Sequence, residues 1–250
     1  MHSLEDKVVI ISGAVGGLGE AFARAILDAG GSVMLTDVSQ EGLDRLAAEL
    51  GDRVHTRTLD VREEEDWVRA VDAAVARFGK VTGLINNAGV TTSRCLLEEE
   101  TAEQFMGIIG VNLLGVHLGM RVVIPHLRAN GGGSIVNISS GAGMMGIAKT
   151  GGYAAAKWGV RGITKVAAVE LGKDAIRVNS VHPGIIETNM TSRLGVSSEP
   201  GGLPSAPAGR AGVPSEVAGL AAFLLSDAAS YISGAEMTAD GAWTAGPVPA

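Results

Sequence analysis

Apolar and polar positions along the 250-residue chain follow two rhythms that take turns. Short continuous apolar runs, of which Val8-Val9-Ile10-Ile11 is the first, are rich in β-branched residues and suit strands buried on both faces. Longer stretches with apolar residues at helical spacing lie between them. The pattern predicts strands at 8–11, 32–36, 54–59, 83–86, 134–138, 177–181 and 236–239. Helices are predicted at about 18–29, 40–50, 63–78, 101–129, 153–171 and 215–226. Such alternation builds βαβ units. The expected fold is α/β: a single domain over 1–250 with a doubly wound parallel sheet of about seven strands. One segment, 189–212, breaks the rhythm with Gly, Pro and Ser. Only about 40 residues follow it, too few for a second domain, so a flexible loop over an active site is expected there.

Composition narrows the picture. Charged residues at 19% and hydrophobic ones at 46% fit a globular chain and argue against disorder. A net charge of -7 provides no basic stripe for nucleic acid. No apolar run approaches the roughly 20 residues needed to span a membrane. Met1 to Asp6 lacks the basic and apolar regions of a signal peptide, so a cytoplasmic protein is expected. Cys95 is the only cysteine, which rules out an intrachain disulfide. The chain has 36 glycines, so a glycine motif persuades only through its context.

Ser12-Gly13-Ala14-Val15-Gly16-Gly17-Leu18-Gly19 has such a context, between the first strand and the first helix. Glycines there let backbone approach a pyrophosphate, whose charge the amides and helix N-terminus hold; a plain tight turn is the alternative. Asp37 ends the second strand, where a carboxylate accepts the ribose hydroxyls of NAD and repels the extra phosphate of NADP. No Arg or Lys stands at Ala14, Val15 or Val38, and Ser39 is the more natural cap for the next helix. Asp60-Val61 and Asn86-Asn87-Ala88-Gly89 also follow strands, at what should be the same sheet edge.

Tyr153 and Lys157 lie one helical turn apart, with Ser140 upstream. A tyrosine of pKa near ~10 is a poor acid/base at neutral pH, and a neighbouring ammonium lowers it. Each residue singly has a structural reading: a core tyrosine, a solvated lysine, a turn-capping serine. A serine hydrolase is disfavoured because Ser140 lacks a G-x-S-x-G elbow. His2, His55, His117, His126 and His182 show no H-E-x-x-H or comparable spacing, so no metal is expected.

Taken together, Gly13/Gly17/Gly19, Asn86-Asn87-Ala88-Gly89, Asn112, Ser140, Tyr153, Lys157 and Pro183-Gly184 resemble the short-chain dehydrogenase/reductase family over almost the whole chain. Ser12 departs from the usual threonine but keeps the hydroxyl. Residues 133–190 are particularly similar to bacterial NAD-dependent hydroxysteroid dehydrogenases. The resemblance implies a Rossmann sheet of order 3-2-1-4-5-6-7, a homotetramer, and NAD as cofactor. It implies a catalytic set of Asn112, Ser140, Tyr153 and Lys157, with Asn112 fixing a water that links Lys157 to solvent. Cofactor contacts would come from Gly13, Gly17, Leu18, Gly19, Asp37, Asp60, Val61, Asn87, Ala88, Gly89, Tyr153, Lys157, Pro183, Gly184, Ile186 and Thr188.

The expected reaction interconverts a hydrophobic secondary alcohol and its ketone. An NADP-dependent carbonyl or 3-oxoacyl thioester reductase and a non-catalytic NAD-sensing protein are the alternatives. Loops 91–97, 141–152 and 185–212 should surround the reacting carbon with Leu96, Met144, Met145, Ile147, Met190 and Leu194, and with Lys149 and Arg193 as nearby charges. Such a lining suits a small hydrophobic alcohol or ketone.

Overall fold

The computed structural model describes residues 2–91 and 95–246, all but the Arg193 side chain. The strands are β1 (Val8–Ser12), β2 (Ser32–Asp37), β3 (Val54–Thr58), β4 (Gly83–Asn86), β5 (Gly133–Ile138), β6 (Ile176–Pro183) and β7 (Glu236–Ala239). They form one parallel sheet in the order β3-β2-β1-β4-β5-β6-β7. Every residue of β1 and β4 is buried, which is why their sequences read as unbroken apolar runs. Successive side chains face opposite ways, so Val9 and Ile11 join one core and Ile10 the other.

The helices are α1 (Gly17–Asp28), α2 (Gln40–Leu50), α3 (Glu64–Phe78), α4 (Ala102–Ile109), α5 (Gly115–Ala129), α6 (Gly151–Leu171) and α7 (Pro214–Leu225). On one face, α1, α2 and α7 contribute Phe22, Ile26, Leu43, Leu46 and Val217. On the other, α3, α5 and α6 pack around Trp67, Val123 and Val160. Trp67 is fully buried, and its truncation to alanine would cost about 3–5 kcal/mol. Ser39 caps α2 as expected, its hydroxyl accepting from the Gly42 amide at 3.1 Å.

Three local features differ from the sequence pattern. Helix α6 starts at Gly151, two residues early, because the distant Glu100 carboxylate accepts from the Gly152 amide at 2.9 Å. Two poor helix formers thus begin a helix that a tertiary cap supports. The single long helix expected over 101–129 is interrupted by a π-turn at Gly110–Leu114. The run Ala102–Ala129 is also long and apolar enough to cross a membrane, unlike the earlier expectation, with 44% of its most apolar window buried inside the protein. Ile108, Val116, Leu118, Val123 and Leu127 on it point into the fold, and a helix packed on several sides requires such breadth.

The irregular segment 189–212 contains a 3-10 turn at Ser192–Leu194 and buries Leu203, Ala206 and Ala211. A bridge between Ile186 and Gly212 closes its base.

Candidate active site

The winding of the sheet reverses between β1 and β4, and a crevice opens there at the carboxyl ends of the strands. Gly13 turns the chain at φ 65, and a Cβ there would lie 2.8 Å from the Cα of Ala88. Only glycine permits that approach. The Ser12 hydroxyl accepts from the amides of Asn87 and Ala88, both at 3.1 Å. The Asn87 amide group donates to the carbonyls of Ser12 (3.0 Å) and Gly13 (2.9 Å). The turns after β1 and β4 are thereby locked together, with the N-terminus of α1 aimed at the crevice. Asp37 at the end of β2 accepts from the amides of Val15 (3.1 Å) and Ser39 (3.2 Å).

The crevice is a cleft of about 590 Å³. Gly13, Gly17, Leu18, Gly19, Asp37, Asn87, Ala88 and Gly89 line one side. Ser140, Tyr153, Lys157, Pro183, Gly184, Ile186 and Thr188 line the other. Three expected members stand off its walls. Asp60 follows β3, one strand beyond Asp37, and its carboxylate pairs with Arg62 (2.9 Å from Nε), which holds it below the usual carboxylate range. Val61 is buried, its carbonyl accepting from the Trp67 indole at 3.0 Å. Asn112 is fully buried on the π-turn; its amide accepts from the Val90 N–H and donates to the Val90 carbonyl, both at 2.8 Å.

Burial, more than charge pairing, sets the electrostatics at the reacting end. Lys157 is 3% exposed and donates to the Ile138 carbonyl at 2.9 Å. With no carboxylate beside it, burial pulls its ammonium down to about 8. Its nitrogen lies 5.7 Å from the centre of the Tyr153 ring. The phenol is nevertheless pushed above its ordinary value, by burial first, while the Ser140 hydroxyl pulls the other way. In the protein's own groups desolvation is thus the larger influence on the phenol, ahead of the lowering expected from a neighbouring ammonium. Desolvation of the phenolate outweighs the lowering by the Ser140 hydroxyl. The protein's own groups leave Tyr153 as a neutral phenol, able to donate a proton.

Ile147, Lys149, Met190 and Leu194 line the substrate side as expected; Leu96, Met144 and Met145 do not, and the Arg193 side chain lies outside the described residues. So do Thr92, Ser93 and Arg94 of the first expected loop. Trp243 is a member that the sequence reading missed. It follows β7, and its ring packs so closely on Gly141 that a Cβ there would lie 2.8 Å away. The Asp240 carboxylate holds that turn by accepting from the amides of Ala242 (3.0 Å) and Thr244 (2.9 Å). The rule that ligands bind beyond strand ends applies to β7 too, and could have found it. Among the described residues, no three His, Cys, Asp or Glu side chains converge as metal ligands do.

Comparison with known proteins agrees with this geometry. A family model described as enoyl-(acyl carrier protein) reductase matches residues 13–244. A 3-alpha-(or 20-beta)-hydroxysteroid dehydrogenase of Mycobacterium bovis is 41% identical, over 96% of this chain and 90% of the relative. A trans-4-hydroxycyclohexanecarboxylate dehydrogenase of Sinomonas cyclohexanicum is 40% identical, over 96% of this chain and 94% of the relative. A crystal structure of a 3-ketoacyl-(acyl-carrier-protein) reductase from Brucella melitensis, complexed with NADH, superimposes with a TM-score of 0.91. That pair shares 36% identity over 97% of this chain and 100% of the other.

Proposed function

Because the chain belongs to the short-chain dehydrogenase/reductase family, whose members bind a nicotinamide cofactor, we propose that it is an NAD(H)-dependent enzyme interconverting a hydrophobic secondary alcohol and its ketone. The observation that carries this reading is one cleft holding both the glycine turn with Asp37 and the Ser140–Tyr153–Lys157 group. The residues fit the cofactor. Gly13 and the N-terminus of α1 offer backbone amides and no side-chain bulk to a pyrophosphate. The carboxylate of Asp37, fixed by two amides, suits a ribose with both hydroxyls free and opposes a 2′-phosphate. No base stands at Ala14, Val15 or Val38 to offset it. Pro183, Gly184, Ile186 and Thr188 would hold the nicotinamide end.

When bound, the nicotinamide supplies a hydride acceptor or donor. Tyr153 would give its phenolic proton to a ketone oxygen that the Ser140 hydroxyl holds. In the opposite direction the phenolate, which the positive charge of an oxidised nicotinamide would favour, takes the alcohol proton. Lys157, drawn down to about 8, would exchange a proton near working pH and would bond the nicotinamide ribose. Asn112 holds Val90 with one N–H and one oxygen lone pair, which leaves a second donor and acceptor for the water that would link Lys157 to solvent. The walls at Ile147, Met190, Leu194 and Trp243 favour a compact apolar substrate. Relatives that act on hydroxysteroids and on a cyclohexane carboxylate support an alicyclic alcohol. A 3-oxoacyl thioester reductase is the second reading, favoured by the Brucella neighbour.

A panel of alicyclic alcohols, hydroxysteroids, ketones and 3-oxoacyl thioesters with NAD(H) or NADP(H), followed by reduced-cofactor absorbance, tests both. We expect turnover of alicyclic substrates with NAD(H); preference for thioesters supports the second reading. Asp37→Ala should weaken NAD far more than NADP, and an unchanged preference contradicts the role of Asp37.

A further inference from the structure

Ser140 follows β5 on a short turn, Gly141–Gly143, that something must hold still. Behind it lies His182 of β6, fully buried and with both ring nitrogens engaged. Nδ1 meets the Ser140 carbonyl at 3.2 Å, and Nε2 meets the Ser180 hydroxyl at 2.9 Å. A carbonyl only accepts, so Nδ1 carries the proton and Nε2 accepts from Ser180. The far end of the turn is held as well: Arg161 of α6 donates to the Gly143 carbonyl at 2.6 Å. The same guanidinium is paired with Glu236 of β7 and lies over the Trp158 ring.

We propose that His182 is a positioning residue: its Nδ1–H, oriented by Ser180, sets the Ser140 carbonyl and so aims the Ser140 hydroxyl at the Tyr153 phenol. Burial holds the imidazole below its ordinary value, so it stays neutral at physiological pH. The charged groups near it are Glu236 on β7, with Arg161 and Lys157 on α6. The Ser140 hydroxyl pulls the Tyr153 pKa down, so a misplaced Ser140 leaves the phenol harder to ionise. A merely structural histidine would not move that ionisation.

The inference rests on the proposed alcohol/ketone chemistry, and the test separates the two. Kinetics of alcohol oxidation across pH are compared for the parent enzyme, His182→Leu, His182→Asn, Ser180→Ala and Ser140→Ala, with NADH binding measured by fluorescence. His182→Leu should lower kcat by about ten- to hundredfold, as small misplacements at reacting groups do. It should also move the rise of kcat to higher pH while leaving NADH affinity unchanged. His182→Asn keeps an N–H near the Nδ1 position and should recover most of the loss. Should His182→Leu fail to fold, Ser180→Ala decides, with a smaller shift in the same direction expected. A pH profile that coincides with the parent in His182→Leu, or in Ser180→Ala if that variant decides, overturns the inference, as does His182→Asn behaving like His182→Leu. Ser140→Ala at full activity contradicts the underlying chemistry instead.

Discussion

At the scale of single residues, Tyr153 and Lys157 show how burial competes with charge. Each is moved toward its neutral form, the phenol upward and the ammonium down to about 8. Lys157 in an unfolded chain keeps its ordinary value of 10.5. Between about 8 and 10.5 the unfolded chain holds the Lys157 proton that the folded chain has lost, so the contribution of Lys157 to stability rises with pH through that window. Below it the buried cation costs roughly 3 kcal/mol. Lys157→Met removes the cation, and should therefore abolish turnover while gaining most over the parent in Tm below pH 8. Calorimetry should find that advantage shrinking as pH approaches 10.5, and a pH-independent difference contradicts the buried charge. The residue types of this pair were legible from sequence because their spacing is local. The direction of the tyrosine's shift was not, because it depends on a cleft assembled from distant segments.

At the scale of elements, the π-turn between α4 and α5 links the helical layer to the sheet edge. Through Asn112 it grips Val90, just beyond the turn that follows β4 and two residues from Ala88, which abuts the glycine turn. Asn112→Ala removes two part-buried hydrogen bonds to the backbone of Val90. Stability to urea should fall by about 1–3 kcal/mol, with turnover reduced in the same variant. An unchanged midpoint contradicts the link. Sequence periodicity showed a helix here and could not show its interruption, since one extra residue in a turn barely alters apolar spacing. The early start of α6 was hidden for a related reason, because its cap, Glu100, comes from another segment. Strand edges were nearly all in place, since continuous apolar runs and turn glycines are local signals.

At the scale of the whole molecule, the alternation of strand and helix was enough to anticipate the seven-stranded parallel sheet, and the resemblance supplied its order. The cleft follows from that topology, with its glycine turn and Asp37 on one side of the winding reversal and Tyr153 on the other. Trp243 escaped notice because it lies 90 residues along the chain from Tyr153 and carries no motif. Met106 on α4 and Val166 and Val169 on α6 are exposed apolar residues. The expected assembly is a tetramer; light scattering at working concentration should give four times the 25.4 kDa chain mass, and a monomer contradicts it. The central claim is that this cleft moves a hydride to NAD while Tyr153 takes the alcohol proton. Its most direct test compares the parent enzyme and Tyr153→Phe with NAD and an alicyclic secondary alcohol, following NADH, alongside NADH binding to each protein. The parent should form NADH; Tyr153→Phe should still bind NADH and form none. Undiminished turnover by Tyr153→Phe, or a parent enzyme inert across the whole panel with either cofactor, would contradict the account.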